Sequence, residues 1–271
     1  MINIDKQKSM FQLDGKVAIV TGGAGLLGEQ HAIALSEFGA NVVITDIKGE
    51  ICSQRAKDIS ARSGILALGC YCDVTKKDSW QALLDKVLDE FGHVDILVNN
   101  AAFTNQSSSA NYSASFFEFP LDDWTQIMNV NLAGTFLGCQ VIGQQMLKQM
   151  EGNIINIASL YGVVSPNHRM YPDTGIYQPV AYSVSKAGVI ALTRYLATLW
   201  AEKGVRVNSI TPGGVYNQHN EIFMTRFSSL NPLGRMAEDW EMQGALIYLA
   251  SDASSYCIGH NLVVDGGWTA W

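Results

Sequence analysis

Lys16-Val17-Ala18-Ile19-Val20-Thr21-Gly22-Gly23-Ala24-Gly25-Leu26-Leu27-Gly28 passes from a β-branched apolar run, through a cluster of glycines, into a helical pattern. The first part reads as a buried strand, and Leu26 to Phe38, with apolar residues at three- and four-residue spacing, reads as a helix. Glycines between them permit a sharp turn and let main-chain N–H groups come close to a ligand. Those N–H groups sit at the positive end of the helix dipole, so the turn suits an anion such as a pyrophosphate. A tight connection without a ligand is the plain alternative. Asp46, about 20 residues on and at the end of the next strand, favours a dinucleotide. A carboxylate there can accept from both adenosine ribose hydroxyls and repels a 2′-phosphate, which points to NAD rather than NADP. Asp46 could instead open the surface turn Asp46-Ile47-Lys48-Gly49, with Lys48 free for a phosphate; the glycine turn carries no basic residue of its own.

Outward from this unit, short β-branched runs alternate with long helical patterns. Strands are expected at Lys16 to Thr21, Asn41 to Thr45, Leu66 to Cys72, Asp95 to Asn99, Asn153 to Ala158, Val205 to Ile210 and Asn261 to Val264. Helices are expected at Leu26 to Phe38, Glu50 to Arg62, Lys76 to Phe91, Leu121 to Met150, Val180 to Lys203 and Glu238 to Ala250. Repeated βαβ units with right-handed crossovers make an α/β fold: a Rossmann-type, doubly wound parallel sheet of seven strands with helices on both faces. No repeat or Pro/Gly/Ser linker divides the chain, so residues 1–271 are expected to form one domain, with a polar extension over 1–10. Phe103 to Pro120, Leu160 to Pro179 and Gly213 to Met236 fit neither strand nor helix; all three should leave the C-terminal strand edge, where such sheets bind ligands, and they are the expected substrate walls.

Composition narrows the partners. A net charge of −7, with no Lys/Arg cluster, disfavours nucleic acid. The start MINIDKQKSM has no apolar core, and no long apolar run follows, so neither a signal peptide nor a membrane span is expected and a cytoplasmic location is. Five scattered cysteines suit a reducing compartment. Cys70 and Cys72 share a strand face but lack the partners of a zinc site; no metal is expected. His31 and His93 read as surface or boundary residues, and Met146 and Met150 as helix packing.

Tyr182 and Lys186 stand four apart, hence on one helix face, where an ammonium favours the phenolate. A free tyrosine titrates near pH ~10, too high for a base near neutrality, so a downward push is required. An exposed Tyr/Lys pair is the bland reading. At Tyr182-Ser183-Val184-Ser185-Lys186 the chain resembles the short-chain dehydrogenase/reductase family, in its short one-domain branch. The resemblance extends from Gly15 to Trp268 through Cys72-Asp73-Val74, Asn99-Asn100-Ala101-Ala102, Asn129-Val130-Asn131-Leu132, Ile157-Ala158-Ser159, Asn208-Ser209-Ile210-Thr211-Pro212-Gly213 and Val264-Asp265-Gly266-Gly267.

The resemblance implies a hydride transfer between a secondary alcohol and its ketone. Tyr182 would move the proton, Lys186 would lower the Tyr182 pKa and hold the nicotinamide ribose, Ser159 would orient the reacting oxygen, and Asn131 would brace a helix kink and a water relay. It also implies cofactor contacts at Gly22, Gly25, Leu26, Leu27, Gly28, Asp46, Ile47, Asp73, Val74, Asn100, Ala101, Ala102, Pro212, Gly213, Val215 and Asn217, with Asn99 holding the sheet beneath. The alternatives are a cap role for Asp73 and Ser159 and a main-chain bond for Asn131. The long helices Leu121 to Met150 and Val180 to Lys203 resemble those that pair in the family, implying a homotetramer or a homodimer.

This sequence departs from the family pattern in four places. Leu26 stands where a glycine is usual, Ala102 replaces the last glycine of the NNAG motif, and Asn217 replaces a threonine. Ser159 and Tyr182 are 23 apart rather than about 13, an insertion of about ten residues. Tyr161, His168, Arg169, Tyr171, Asp173 and Tyr177 in that stretch, and Asn105, Tyr112 and Phe116 in the Ser-rich loop, could meet a polar polyhydroxylated substrate, neutral or anionic; a surface excursion is the alternative. Neither loop looks apolar enough for a steroid or a long acyl chain. A sugar, amino sugar or polyol derivative is therefore expected, as in carbohydrate metabolism. The rivals are reduction of a 3-oxoacyl group on acyl carrier protein, which would want NADP and a basic docking patch, and an NAD-binding sensor without turnover.

Overall fold

Seven strands, all parallel, form one sheet in the computed structural model, which describes residues 9–103, 114–174 and 177–271. Most of the N-terminal polar extension, with Asn105 and Tyr112, lies outside the described residues. In chain order the elements are β1 Val17–Thr21, α1 Leu26–Glu37, β2 Asn41–Asp46, α2 Gly49–Ser63, β3 Ala67–Tyr71, α3 Lys77–Phe91 and β4 Ile96–Asn99. Then come α4 Leu121–Met128, α5 Gly134–Gln149, β5 Gly152–Ile157, α6 Val180–Trp200, β6 Val205–Pro212, α7 Glu221–Leu230, α8 Gln243–Ala250 and β7 Asn261–Val264.

The sheet order is β3-β2-β1-β4-β5-β6-β7, so the winding reverses between β1 and β4. The loops after those two strands part in opposite directions and leave a crevice at the C-terminal edge. Alternate strand residues feed two cores. Val17, Ile19, Leu97 and Ile154 pack with Trp80 of α3, Cys139, Ile142 and Met146 of α5, and Trp200 of α6. Ala18, Val20, Ile96, Val98 and Ile155 pack on the other face with Leu35 of α1, Cys52, Ala56 and Ile59 of α2, and Leu246 of α8. Helices on both faces explain why β1, β4 and β5 are apolar along most of their length.

Three expectations are corrected. The segment Leu121 to Met150 is not one α-helix: a π-helical turn at Asn129–Ala133 separates α4 from α5 and turns Asn131 inward, fully buried. Gly213 to Met236 contains a helix, α7, whose apolar positions Phe223 and Phe227 are masked in sequence by the Ser and Asn around them. His31 is neither at the surface nor at a boundary. Its side chain is fully buried in α1, and neither ring nitrogen has a hydrogen-bond partner.

Burial pushes the His31 imidazole from 6.5 down to about 4. Between those pH values the unfolded chain binds a proton that the fold excludes, so stability is complete above pH 6.5 and falls as the pH drops. The expected loss by pH 4 is about 3 kcal/mol. Urea midpoints measured across this window should follow it, and His31→Leu should flatten the slope; equal slopes in the two proteins would exclude His31 as the cause.

Candidate active site

The C-terminal ends of the first six strands converge on the crevice. At β1, Gly22 adopts φ +66°, and a Cβ there would lie 2.7 Å from Ala101 Cα. Only glycine lets the turn sit this close to the chain after β4. Thr21 Oγ1 accepts from the main-chain N–H groups of Asn100 and Ala101, both at 3.0 Å, while Asn100 Nδ2 donates to Thr21 O at 2.8 Å. These bonds join the ends of β1 and β4. Gly25 precedes α1 in extended conformation; Leu26 and Leu27 begin the helix half-buried, and Gly28 is buried against Gly22 O. Leu26 is thus accommodated at the helix start without breaking the turn.

Asp46 ends β2. Its Oδ2 accepts from Ala24 N at 3.3 Å and its Oδ1 from Lys48 N at 3.1 Å, while Ile47 beside it is exposed. After β3, Asp73 Oδ1 accepts from Thr75 N and Oγ1, and Lys76 lies 3.1 Å from Oδ2; these contacts hold the carboxyl below its ordinary range against the upward push of burial. Val74 O accepts from Trp80 Nε1 at 3.0 Å, which ties this corner to the core. Ala102 is half-buried just beyond β4. Beneath, Asn99 Nδ2 donates to Asn156 Oδ1 at 2.9 Å, linking β4 and β5 as expected.

Past β6, which ends at Pro212, Gly213 N donates to Val264 O, and a Cβ on Gly213 would meet Asp265 Cα at 2.6 Å. Val215 pairs with Ala237, and Asn217 N donates to His219 Nδ1. The glycine cradle, the acid bonded to main-chain N–H groups at the end of β2 and the tight Pro212-Gly213 turn fit a dinucleotide laid across the crevice.

Tyr182, Lys186, Ser159 and Asn131 come together at the ends of β5 and α6. Ser159 makes a hydrogen bond with the Tyr182 hydroxyl and accepts from Tyr161 N at 3.3 Å. Lys186 Nζ donates to Ile157 O at 2.8 Å and lies 5.8 Å from the centre of the Tyr182 ring. Asn131 Oδ1 accepts from Phe103 N at 2.6 Å, and its Nδ2 donates to Ser185 Oγ at 3.2 Å. Ser185 Oγ donates in turn to Tyr182 O at 2.7 Å. This buried serine, inside the Tyr-Lys spacing, was not anticipated; its place between Lys186 and Tyr182 on the same turn is the signal that could have found it. The Asn131 side-chain amide is thus bonded to protein at both ends.

In the protein alone the Tyr182 phenol is raised and not lowered. Burial pushes the phenol up, the Ser159 hydrogen bond only partly opposing it, and burial also lowers Lys186 to about 8. Both charged forms are disfavoured by loss of water.

The insertion folds inward rather than out. Met170 and Tyr171 are buried against Phe223 and Phe227 of α7, with Leu160, Met236 and Trp268. The hydroxyls of Tyr161 and Tyr171 are hydrogen-bonded at 2.6 Å, burial pushes Tyr161 up to about 12, and Tyr177 lies 6.4 Å from Tyr171, ring centre to ring centre. Tyr161 is close enough to Tyr182 to feel its charge. By contrast His168 and Arg169 stand exposed on a short 3₁₀ turn, and Phe116 is exposed as well. The interior of this segment is aromatic, with a pair of tyrosine hydroxyls as its polar groups, and its basic side chains His168 and Arg169 lie at the surface.

Two further residues strap the insertion to α7. Asn220 caps the helix by accepting from Phe223 N at 2.8 Å and donates to Thr174 O, and Arg226 donates to Met170 O and Pro172 O. Asn220→Ala is expected to cost ~1–2 kcal/mol in urea denaturation and to raise KM more than it lowers kcat; a KM unchanged in a destabilised protein would separate the strap from substrate binding.

Residues 23–269 match the family model described as enoyl-(acyl carrier protein) reductase. A short-chain type dehydrogenase/reductase from Mycobacterium marinum superposes with a TM-score of 0.87 at 33% identity, covering 97% of this chain and 99% of that one. The chain belongs to the short-chain dehydrogenase/reductase family. D-threitol dehydrogenase of Mycolicibacterium smegmatis is 38% identical over 96% of this chain and 95% of its own length. A gluconate 5-dehydrogenase from Burkholderia cenocepacia, solved with NADP and tartrate, has a TM-score of 0.87 at 30% identity over 97% and 98% of the two chains. As a short-chain dehydrogenase/reductase, the protein is an oxidoreductase that interconverts an alcohol and a ketone with a nicotinamide cofactor. No described helix of this family member is long and apolar enough to cross a membrane. Among the described residues no His/Cys/Asp/Glu group could hold a metal ion.

Proposed function

We propose that the protein is an NAD-dependent dehydrogenase of a small polyhydroxylated compound, a polyol or sugar derivative. The observation that carries the reaction class is the contact of Ser159 with the Tyr182 hydroxyl beside buried Lys186. In the oxidative direction Tyr182, ionised in the ternary complex, accepts the hydroxyl proton of a secondary alcohol as its phenolate, and Ser159 orients that oxygen by hydrogen bonding. Bound NAD⁺ supplies the hydride acceptor, and its cationic ring adds the downward push on Tyr182 that burial opposes. Asn131 and Ser185 hold the first turn of α6, and with it Tyr182, against the chain after β4.

Asp46 supports NAD, since among the described residues no basic side chain hydrogen-bonds either of its oxygens. Asp46→Ala should bring the kcat/KM for NADP⁺ closer to that for NAD⁺; an unchanged ratio would remove Asp46 from cofactor choice. The paired tyrosine hydroxyls beside Tyr182, together with the resemblance to threitol and gluconate dehydrogenases, support a substrate with several hydroxyls. Phe136 on α5, and Val184, Tyr195 and Leu199 on α6, are apolar or aromatic residues exposed to solvent, which supports pairing of these helices between copies in a homotetramer or homodimer; light scattering tests that. The deciding assay follows reduced-nicotinamide absorbance with NAD⁺ or NADP⁺ against tetritols, hexitols, sugar acids, simple secondary alcohols and hydroxyacyl thioesters. Turnover restricted to thioesters would favour the acyl-reductase reading, and cofactor binding without turnover of any of them the sensor reading.

A further inference from the structure

The peptide unit that joins Gly23 to Ala24 is gripped from both sides. Its carbonyl accepts from Arg55 Nη1 at 2.5 Å, and its N–H donates to Asp46 Oδ2 at 3.3 Å. The same Nη1 reaches Gly25 O at 3.1 Å, and Nη2 pairs with Glu29 Oε2 at 2.7 Å. Carboxylate, peptide dipole, guanidinium and second carboxylate thus form one chain, running from β2 through the glycine turn to α2 and back to α1. The Arg55 side chain is 21% exposed and that of Glu29 38%, so the bond to Gly23 O is partly shielded while solvent screens the ion pair. Buried Cys52 lies within the electrostatic reach of both Asp46 and Arg55, which places the two charges at one corner. The glycine turn, with no basic residue of its own, therefore has a cation delivered to it from α2.

We propose that Arg55 is the positioning residue of this turn, and that Glu29, by holding Arg55 in place, is a determinant of cofactor choice together with Asp46. The proposal rests on the reading of Asp46 given above. Two mechanisms are at work. First, Arg55 fixes the Gly23 and Gly25 carbonyls towards α2. The opposite ends of those peptides, the N–H groups of the turn, are then fixed in direction, which is what an anion at the helix start requires. Leu26 stands where a glycine is usual, but Gly22, Gly23, Gly25 and Gly28 leave the turn flexible, so it depends on the brace to keep that arrangement.

Second, one guanidinium between two carboxylates leaves the corner net negative, and the Arg55 donors facing the turn are taken. A 2′-phosphate, which would need a planar donor fork of this kind, is repelled instead of bound. Without the Glu29 charge the corner becomes neutral, and the outer edge of Arg55 is released to face a phosphate.

The test is titration of the intact protein with NADH and with NADPH, followed by nicotinamide fluorescence, for wild type, Arg55→Met, Arg55→Lys and Glu29→Gln. The wild type is expected to bind NADH more tightly. Arg55→Met should weaken NADH binding about tenfold, and Arg55→Lys, which keeps the charge but not the fork, should weaken it less. Glu29→Gln should leave NADH binding within about twofold and narrow the NADH-to-NADPH preference about fivefold or more. An unchanged NADH affinity in a folded Arg55→Met protein would overturn the positioning role, and an unchanged preference in Glu29→Gln the selectivity role. A wild type that prefers NADPH would overturn the Asp46 reading and the Glu29 role with it, leaving Arg55 to be judged on NADPH affinity. One that binds neither dinucleotide would overturn everything built on this corner.

Discussion

Tyr182→Phe is expected to lower kcat by about 10²–10⁴-fold and to leave the NADH dissociation constant within about twofold. The substitution removes one oxygen from a ring held at the start of α6, and the ring itself keeps its packing. What disappears is the hydroxyl that bonds Ser159 and that the proposed reaction uses to take the substrate proton. Because burial raises the phenol, the wild-type rate of alcohol oxidation should climb with pH until the tyrosine is ionised in the ternary complex, whereas any residual rate in the variant should lack that rise. Steady-state rates from pH 6 to about 10, with a fluorescence titration of NADH, check both parts. Full activity in the variant would overturn the catalytic assignment.

Lys186→Met is expected to reduce kcat/KM by at least about 10²-fold, and it carries a stability signature of opposite sign. Lys186 is buried, and its amine is pushed from 10.5 down to about 8. Between these values the unfolded chain holds a proton that the fold sheds, so the wild type gains stability as pH rises from 8 to 10.5. Below pH 8 the charge is kept in the fold at a cost of order ~3 kcal/mol, partly offset by the bond to Ile157 O. The variant has no such charge and should show a flatter stability profile across that window. Urea midpoints for both proteins test this; identical profiles would show that Lys186 is not held in the low-dielectric setting the contacts describe.

Such a cost is sustained only where the charge has work to do. The same loss of hydration that destabilises Lys186 strengthens its field at whatever is bound beside it. The arrangement therefore trades stability for reactivity at a few positions, beside a sheet whose β1, β4 and β5 are buried along their whole length.

Much of this site is legible in the chain itself because it is local. The glycine turn, Asp46 at a strand end and the Tyr182–Lys186 spacing each follow from neighbours within a few residues, and parallel strands bring their C-terminal ends to one edge wherever βαβ units repeat. Ser159 and Tyr182 are 23 residues apart, yet each ends or begins an element readable by its period. The helix Glu221–Leu230 was missed for the converse reason. Its stabilising contacts are with Tyr171 and Trp268, and its own run, with Ser, Thr and Arg among the apolar residues, carries only a short periodic signal.

By sequence alone, then, the seven strands and most of the helices, the doubly wound class, the family and the proposed reacting set were legible, since periodicity and short-range spacing reflect backbone geometry. Tertiary structure alone decided the burial of His31, the inward fold of the insertion, the π turn that buries Asn131, and the arrival of Arg55 at a turn 30 residues earlier in the chain. Each depends on which distant surfaces meet and on how much water is lost between them. Desolvation, which raises Tyr182 and lowers Lys186 and His31, is a property of an enclosure and is not written in any one stretch of the chain.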